Sequence, residues 1–249
     1  MKYYGISEKG LVRKENQDCF SFDEMESRDC LLVAVCDGMG GHAAGSLASK
    51  LANETFREYV SNHMFTRTGK AANLVHVLQD ACLEANRVIL HYSETYEEYA
   101  GLGTTLVGGV IVSSGTSYLV NIGDSRAYLI SRPDRTIEQV TEDHSLVQAY
   151  VNSGLITKEE ARTHPRKNVI TRALGGDVYA EADIFEFTFE EGEELLFCSD
   201  GLSNFLTDEE ILGTCLRHTD PEACCRDLLA QTYARGAGDN VTIALVVKS

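Results

Sequence analysis

The 249-residue chain is 43% hydrophobic and 24% charged, the proportions of a folded globular protein with material for one large domain. Its 22 basic and 38 acidic residues leave a net charge of −16, which argues against nucleic acid or any polyanion held by bulk electrostatics. No uncharged apolar window of about 18 residues occurs, and the eight cysteines show no CxxC spacing, so membrane insertion and a thiolate metal site are not expected. The thiols read as small buried hydrophobes of a reduced, cytoplasmic protein.

In chain order, the apolar, β-branched run Leu31–Cys36 is a strand that ends on Asp37 and breaks into glycines in the stretch LLVAVCDGMGGH. Residues 43–60 carry Ala44, Leu47, Ala48, Leu51, Ala52 and Phe56 at the spacing of a helix laid on a core. Leu74, Leu78, Cys82, Ala85, Ile89 and Tyr92 predict a second helix over 70–93. From 104 to 141 the signal changes to strands (TTLVGGVIV, SYLVNIGD, AYLI, TIEQVT) with a turn at Ser113–Gly115, which together read as an antiparallel meander. FEFTF at 185–189 alternates apolar and polar residues, and EELLFCSD follows the turn Glu190–Gly192 as its expected hairpin partner. Thr207 with Glu210 forms a capping-box pattern, Asp220-Pro221 is an N-cap followed by a first-turn proline, and VTIALVV is a buried closing strand. This order suggests antiparallel sheets covered by helices rather than a βαβ alternation. Between Asp143 and Gly176 lies an insertion with two short helical pieces, around Leu146–Asn152 and Thr157–Arg162, long enough to expect a functional role.

Four apolar strands have an aspartate at one end: Asp37, Asp124, Asp200 and Asp239. If these ends meet at one rim the carboxylates repel, by about 4 kcal/mol for two unit charges 4 Å apart at an effective dielectric near 20. Bound cations relieve that repulsion, and ligation by oxygen alone favours Mg²⁺ or Mn²⁺ over Zn²⁺. Gly38, after Asp37, then lets its own carbonyl approach an ion while the following turn takes unusual dihedrals. A phosphate-cradling reading of DGMGGH is disfavoured, because no Gly-Lys-Ser/Thr is present and a leading aspartate repels phosphate. No cysteine is followed six residues on by an arginine, as a phosphocysteine mechanism needs, and no G-x-S-x-G elbow occurs.

With GLVRKENQD, VAVCDGMGGHAAG, GTTLVGGV, VNIGDSRAYL, TEDHSLVQAYVNSGLI, NVITRALGG, LLFCSDGLSNFLTDEEI and GDNVTIALVV in hand, the chain resembles the metal-dependent (PPM, type 2C) protein serine/threonine phosphatases in their compact bacterial form. The resemblance runs nearly end to end. It implies a single α+β domain over residues 1–249, a four-layer α-β-β-α sandwich of two antiparallel sheets flanked by helix pairs, with a flap at about 144–176. It further implies hydrolysis of phosphoserine and phosphothreonine in proteins by water bridging two metals, and two to three Mn²⁺ or Mg²⁺ ions in all.

Residue by residue, the resemblance makes Asp37 the carboxylate bridging two metals, with the Gly38 carbonyl on the second, and makes Asp200 and Asp239 complete the first. Asp124 with Asp200 is expected to hold a third metal, Asp18 to orient metal-bound water, and Arg13 to grip phosphoryl oxygens with its planar fork. Relatives from eukaryotes carry a histidine directly after the Asp-Gly, where this chain has Met39; His42, at the end of the stretch, is the candidate general acid, or else orients water or caps the helix. Ser7-Glu8 and Asn121 depart from the common pattern and are not expected to touch metals. The flap carries Lys158, Arg162, Arg166, Lys167 and Arg172 against Glu159 and Glu160, and is expected to touch the substrate polypeptide. The implied partners are phosphorylated proteins, including a bacterial Ser/Thr kinase whose action the protein opposes, and a monomer suffices. Two other readings stand beside this one: a catalytically silent phosphoprotein-binding scaffold, and a dedicated stress or sporulation regulatory phosphatase.

Overall fold

A computed structural model of the chain describes residues 1–25, 29–40, 42–65 and 73–248, with the backbone alone for 42 and 43. One sheet is built from β1 (Lys2–Glu8), β7 (Arg126–Ser131), β8 (Thr136–Gln139), β10 (Glu193–Cys198) and β11 (Val241–Val247), in the order β1-β11-β10-β7-β8. The other runs β2-β3-β5-β6-β9, from β2 (Asp18–Met25), β3 (Cys30–Met39), β5 (Leu106–Val112), β6 (Thr116–Ile122) and β9 (Asp183–Thr188), with the short β4 (Gly103–Thr104) paired to the end of β3. All these pairings are antiparallel.

Side-chain alternation sorts the strands into layers. On β3, Leu32, Ala34 and Cys36 face a core shared with α1 (His42–His63) and α2 (Leu74–Thr95), while Leu31, Val33 and Val35 face the opposite sheet. On β11, Ile243 and Leu245 pack under α5 (Asp200–Ser203), α6 (Asp208–Arg217) and α7 (Pro221–Ala234), and Ala244 and Val246 complete the middle core. The result is the expected four-layer sandwich. Asn73 caps α2 by accepting from the amides of Val75 and His76, so this helix starts and ends a little later than its apolar stripe predicts, and positions 70–72 of the predicted span lie outside the described residues. Thr207–Glu210 closes a capping box on α6, and Asp220 accepts from the Ala223 amide on α7.

Two expected pairings are corrected. The run from 104 to 141 is not one meander: β5 and β6 pair in one sheet, β7 and β8 in the other. Nor are β9 and β10 a hairpin, since β9 pairs with β6 and β10 lies between β7 and β11. In both places the chain crosses the sandwich, at Gly123–Ser125 and through the fully buried Phe189. β6, β7 and β10 are largely buried on both faces and show no polar side to mark their partner, so sequence pattern finds the strands and misses the crossing.

The insertion folds as α3 (Leu146–Asn152) and α4 (Lys158–Thr163), close to the two helical pieces expected there. Its two strands of chain meet at the neck, where Ser145 bridges Ile170 and the Leu146 amide donates to Val169 O. The eight cysteines are free thiols, seven of them buried.

Candidate metal centre

The ends of both sheets open onto one edge of the sandwich. Asp18 begins β2 directly opposite Asp37 in the β2–β3 register. Asp124 follows β6, Asp200 follows β10 as the first residue of α5, and Asp239 stands two residues before β11. The five carboxylates share this edge, and Asp37 is repelled by Asp18, Asp200, Asp124 and Asp239. Burial, reinforced by those neighbours, drives Asp37 well above the usual carboxylate range. Burial likewise pushes Asp18 up to about 7, Asp124 up to about 8 and Asp200 up to about 6, with Asp200 adding to the first two and Asp239 to the third.

Hydrogen bonding leaves specific oxygens free. Asp18 Oδ2 accepts from Ser199 Oγ at 2.8 Å and Thr242 Oγ1 at 2.7 Å, whereas the buried Oδ1 has no hydrogen-bond partner. Because Thr242 donates to Asp18, the 2.7 Å contact between Ser7 Oγ and Thr242 Oγ1 has Ser7 as donor, and Asn16 Nδ2 donates to Ser7 in turn. Ser7 therefore supports Asp18 from one residue behind. Asp200 Oδ2 accepts from Asn204 Nδ2 at 2.9 Å while Oδ1 is buried and unpartnered. An orphaned carboxylate oxygen beside four other acids is costly to a protein unless a cation takes it.

Oxygen donors, raised carboxyls and orphaned oxygens fit a hard divalent cation. Among the described residues, no three His, Cys, Asp or Glu side chains close into a ready-made cage.

The scaffold behind these acids is built from backbone contacts. The Asp37 amide donates to Thr105 Oγ1 at 3.0 Å, and Thr105 Oγ1 meets Ser125 Oγ, beside Asp124, at 2.7 Å. Gly38 is glycine for a steric reason: a Cβ there would stand 2.0 Å from Gly45 O and 2.6 Å from Gln17 O, and the positive φ of this turn falls at Gly40 instead. The unusual dihedral thus falls at Gly40, in the turn that follows, as expected, and Gly38 provides close approach.

Arg13 lies on the loop between β1 and β2. Asn240 pins that loop, donating from Nδ2 to Lys9 O and Glu15 O and accepting the Gln17 amide on Oδ1. The half-exposed Arg13 guanidinium reaches Asp239 Oδ2 at 2.7 Å and sits in the field of Asp37 and Asp200. His42 begins α1, and its side chain lies outside the described residues. Asn121 stands behind the rim, donating to Gly123 O and Glu142 O.

Of the five flap cations, Arg166 donates to Tyr150 OH and Arg172 to Asp183, while Lys158, Arg162 and Lys167 line a cavity of about 560 Å³ whose inner wall includes Asp124 and Asp200. The supporting residues Ser199, Thr242, Asn240, Thr105 and Asn204 carry no sequence signal of their own. Only Ser199 and Asn240 are marked at all, by adjacency to Asp200 in CSDG and to Asp239 in GDNVT.

The family model described as Protein phosphatase 2C matches residues 12–234. The chain is 37% identical to the serine/threonine phosphatase stp of Listeria monocytogenes over 243 residues, 96% of this chain and 93% of that one. In structure it is similar to the Streptococcus agalactiae serine/threonine phosphatase, with a TM-score of 0.88, 31% identity and coverage of 100% of this chain and 99% of the other. It is also similar to the catalytic domain of the serine/threonine protein phosphatase PstP in complex with two manganese ions, with a TM-score of 0.83, 33% identity and coverage of 98% and 96%. With the sandwich and its acidic rim on one side and these likenesses on the other, the chain belongs to the protein phosphatase 2C family.

Proposed function

We propose that this protein hydrolyses phosphoserine and phosphothreonine in proteins with two to three Mn²⁺ or Mg²⁺ ions held by Asp37, the Gly38 carbonyl, Asp200 and Asp239, and by Asp124 with Asp200. The observation that carries the reading is the convergence of Asp37 and four acids that repel it on one edge of the sandwich, with Asp18 and Asp124 buried and with an unpartnered oxygen on Asp18 and on Asp200. Bound cations supply Lewis-acid neutralisation of phosphoryl charge and a water acidic enough to attack in line.

The chain's own groups do the rest. Arg13 presents a permanently charged fork at the rim for two phosphoryl oxygens. Asp18, fixed through Oδ2, has Oδ1 left to accept a hydrogen bond from the attacking water and orient it. His42 protonates the departing alkoxide. Lys158, Arg162 and Lys167 of the flap line the cavity beside the acids and contact the substrate polypeptide.

The substrates include proteins phosphorylated by a Ser/Thr kinase, and the enzyme works as a monomer in a reducing cytoplasm, a setting supported by the buried free thiols. Among the described residues no helix is long and apolar enough to cross a membrane. Retention of every acid together with Arg13 weighs against a silent scaffold. Phosphate release from a phosphothreonine peptide should rise on addition of Mn²⁺ and vanish with EDTA or in Asp200→Ala. A rate indifferent to both perturbations overturns the reading.

A further inference from the structure

His144 stands where the flap leaves the body, and every polar group on it is used. Its Nδ1 accepts the Gly123 amide at 3.1 Å, and its own amide donates to Gly123 O at 2.9 Å. An imidazole that accepts on Nδ1 carries its proton on Nε2, which faces Asp183 Oδ2 at 3.0 Å. Arg172 Nη1 therefore finds its acceptor in Asp183 Oδ1, at 3.1 Å, rather than in the ring. His144 O takes the Thr171 amide at 2.8 Å, so the incoming and outgoing chains of the flap are joined at the same residue.

Gly123 is the residue before Asp124. Its φ is +113°, and a Cβ on it would stand 2.5 Å from Thr105 Cγ2, so this turn admits only glycine and has no side chain with which to hold itself. Its amide depends on His144, and its carbonyl on His144 and Asn121. The ring is 6% exposed in relative terms, which keeps water from substituting for these bonds.

We propose that His144 is a positioning residue that locks the neck of the flap to the Gly123–Asp124 turn, so that flap placement and cation binding at Asp124 are set together. The proposal rests on the reading of Asp124 as a cation ligand. It assigns the coupling to one acceptor atom, Nδ1, and to Asp183 as the post that orients the ring. Partners one shell behind a ligand typically change metal affinity by about 10- to 100-fold when removed.

The test titrates Mn²⁺ into the full-length protein, following free Mn²⁺ by electron paramagnetic resonance, for wild type, Asp124→Asn, His144→Leu and His144→Asn. Asp124→Asn identifies the binding class that belongs to Asp124. His144→Leu, which fills the space without an acceptor, should weaken that class by about tenfold or more and speed hydrogen exchange at the Thr171 and Leu146 amides. His144→Asn, whose Oδ1 takes the place of Nδ1, should restore the affinity and decides the matter alone if the leucine variant does not fold. Unchanged Mn²⁺ affinity in His144→Leu, or loss in His144→Asn as deep as in Asp124→Asn, overturns the coupling. If Asp124→Asn itself leaves Mn²⁺ binding untouched, the assignment of Asp124 fails and takes the coupling with it.

Discussion

Chelating divalent cations while raising the pH should destabilise this protein steeply. Above about pH 5 the unfolded chain has its carboxylates ionised. In the fold without cations, burial and mutual repulsion hold protons on Asp200 up to about 6, on Asp18 up to about 7 and on Asp124 up to about 8. From pH 5 to 7 the folded state thus binds more protons than the unfolded one, and unfolding free energy falls as pH rises, by about 1.4 kcal/mol per pH unit for each excess proton. A single excess proton across two units gives a loss of about 3 kcal/mol. At roughly 2–4 °C per kcal/mol for a chain of this size, Tm drops by at least about 6–12 °C between pH 5 and 7. Glu210, held down to about 2 by its bond from Arg235, adds stability that is lost only below its ordinary value of 4.5 and leaves this window untouched. Saturating Mn²⁺ should flatten the slope, because the cation replaces the protons. The chain has no tryptophan, so unfolding is best followed by calorimetry or circular dichroism in EDTA and in Mn²⁺. A chelated Tm that is level or rising between pH 5 and 7 refutes the buried acid cluster.

Thr242→Val deletes one of the two hydroxyls donating to Asp18 Oδ2. The loss of about 1.5–3 kcal/mol from a charged acceptor moves the Asp18 pKa up by about one to two units. The acid limb of the kcat–pH profile should follow it while Thr242→Ser stays near wild type, and an unmoved limb excludes Asp18 from the rate-determining ionisation. Gly38→Ala puts a methyl 2.0 Å from Gly45 O, where only backbone can yield, so calorimetry should show a loss of at least about 2 kcal/mol together with lost Mn²⁺-stimulated turnover. Gly176→Ala, whose nearest neighbour would lie at 3.5 Å, is the control, and equal tolerance at both positions would refute the steric argument. His42→Ala should slow hydrolysis of a phosphoserine peptide about 10²- to 10⁴-fold while sparing nitrophenyl phosphate, whose leaving group needs no proton; equal losses on both remove the acid role.

The elements themselves were legible along the chain because each signal is local. The Thr207–Glu210 capping box, the 3.6-residue stripes of α1 and α2, the apolar run into Asp37 and the turn at Gly115 all arise within a few residues. The acids Asp37, Asp124, Asp200 and Asp239 stood out for the same reason, as charges at the ends of apolar strands. Which strands lie side by side was not local: β6 and β7 are separated by only Gly123–Ser125 yet belong to opposite sheets, and strands buried on both faces carry no stripe to announce it. The order of the sheets alone brings Asp18 opposite Asp37, sets Ser199 and Thr242 on the same carboxylate oxygen, and lands His144 on the turn before Asp124. A carboxylate's pKa and a cation's fit depend on distances across the sandwich, and those exist only after residues up to 235 positions apart have been packed together.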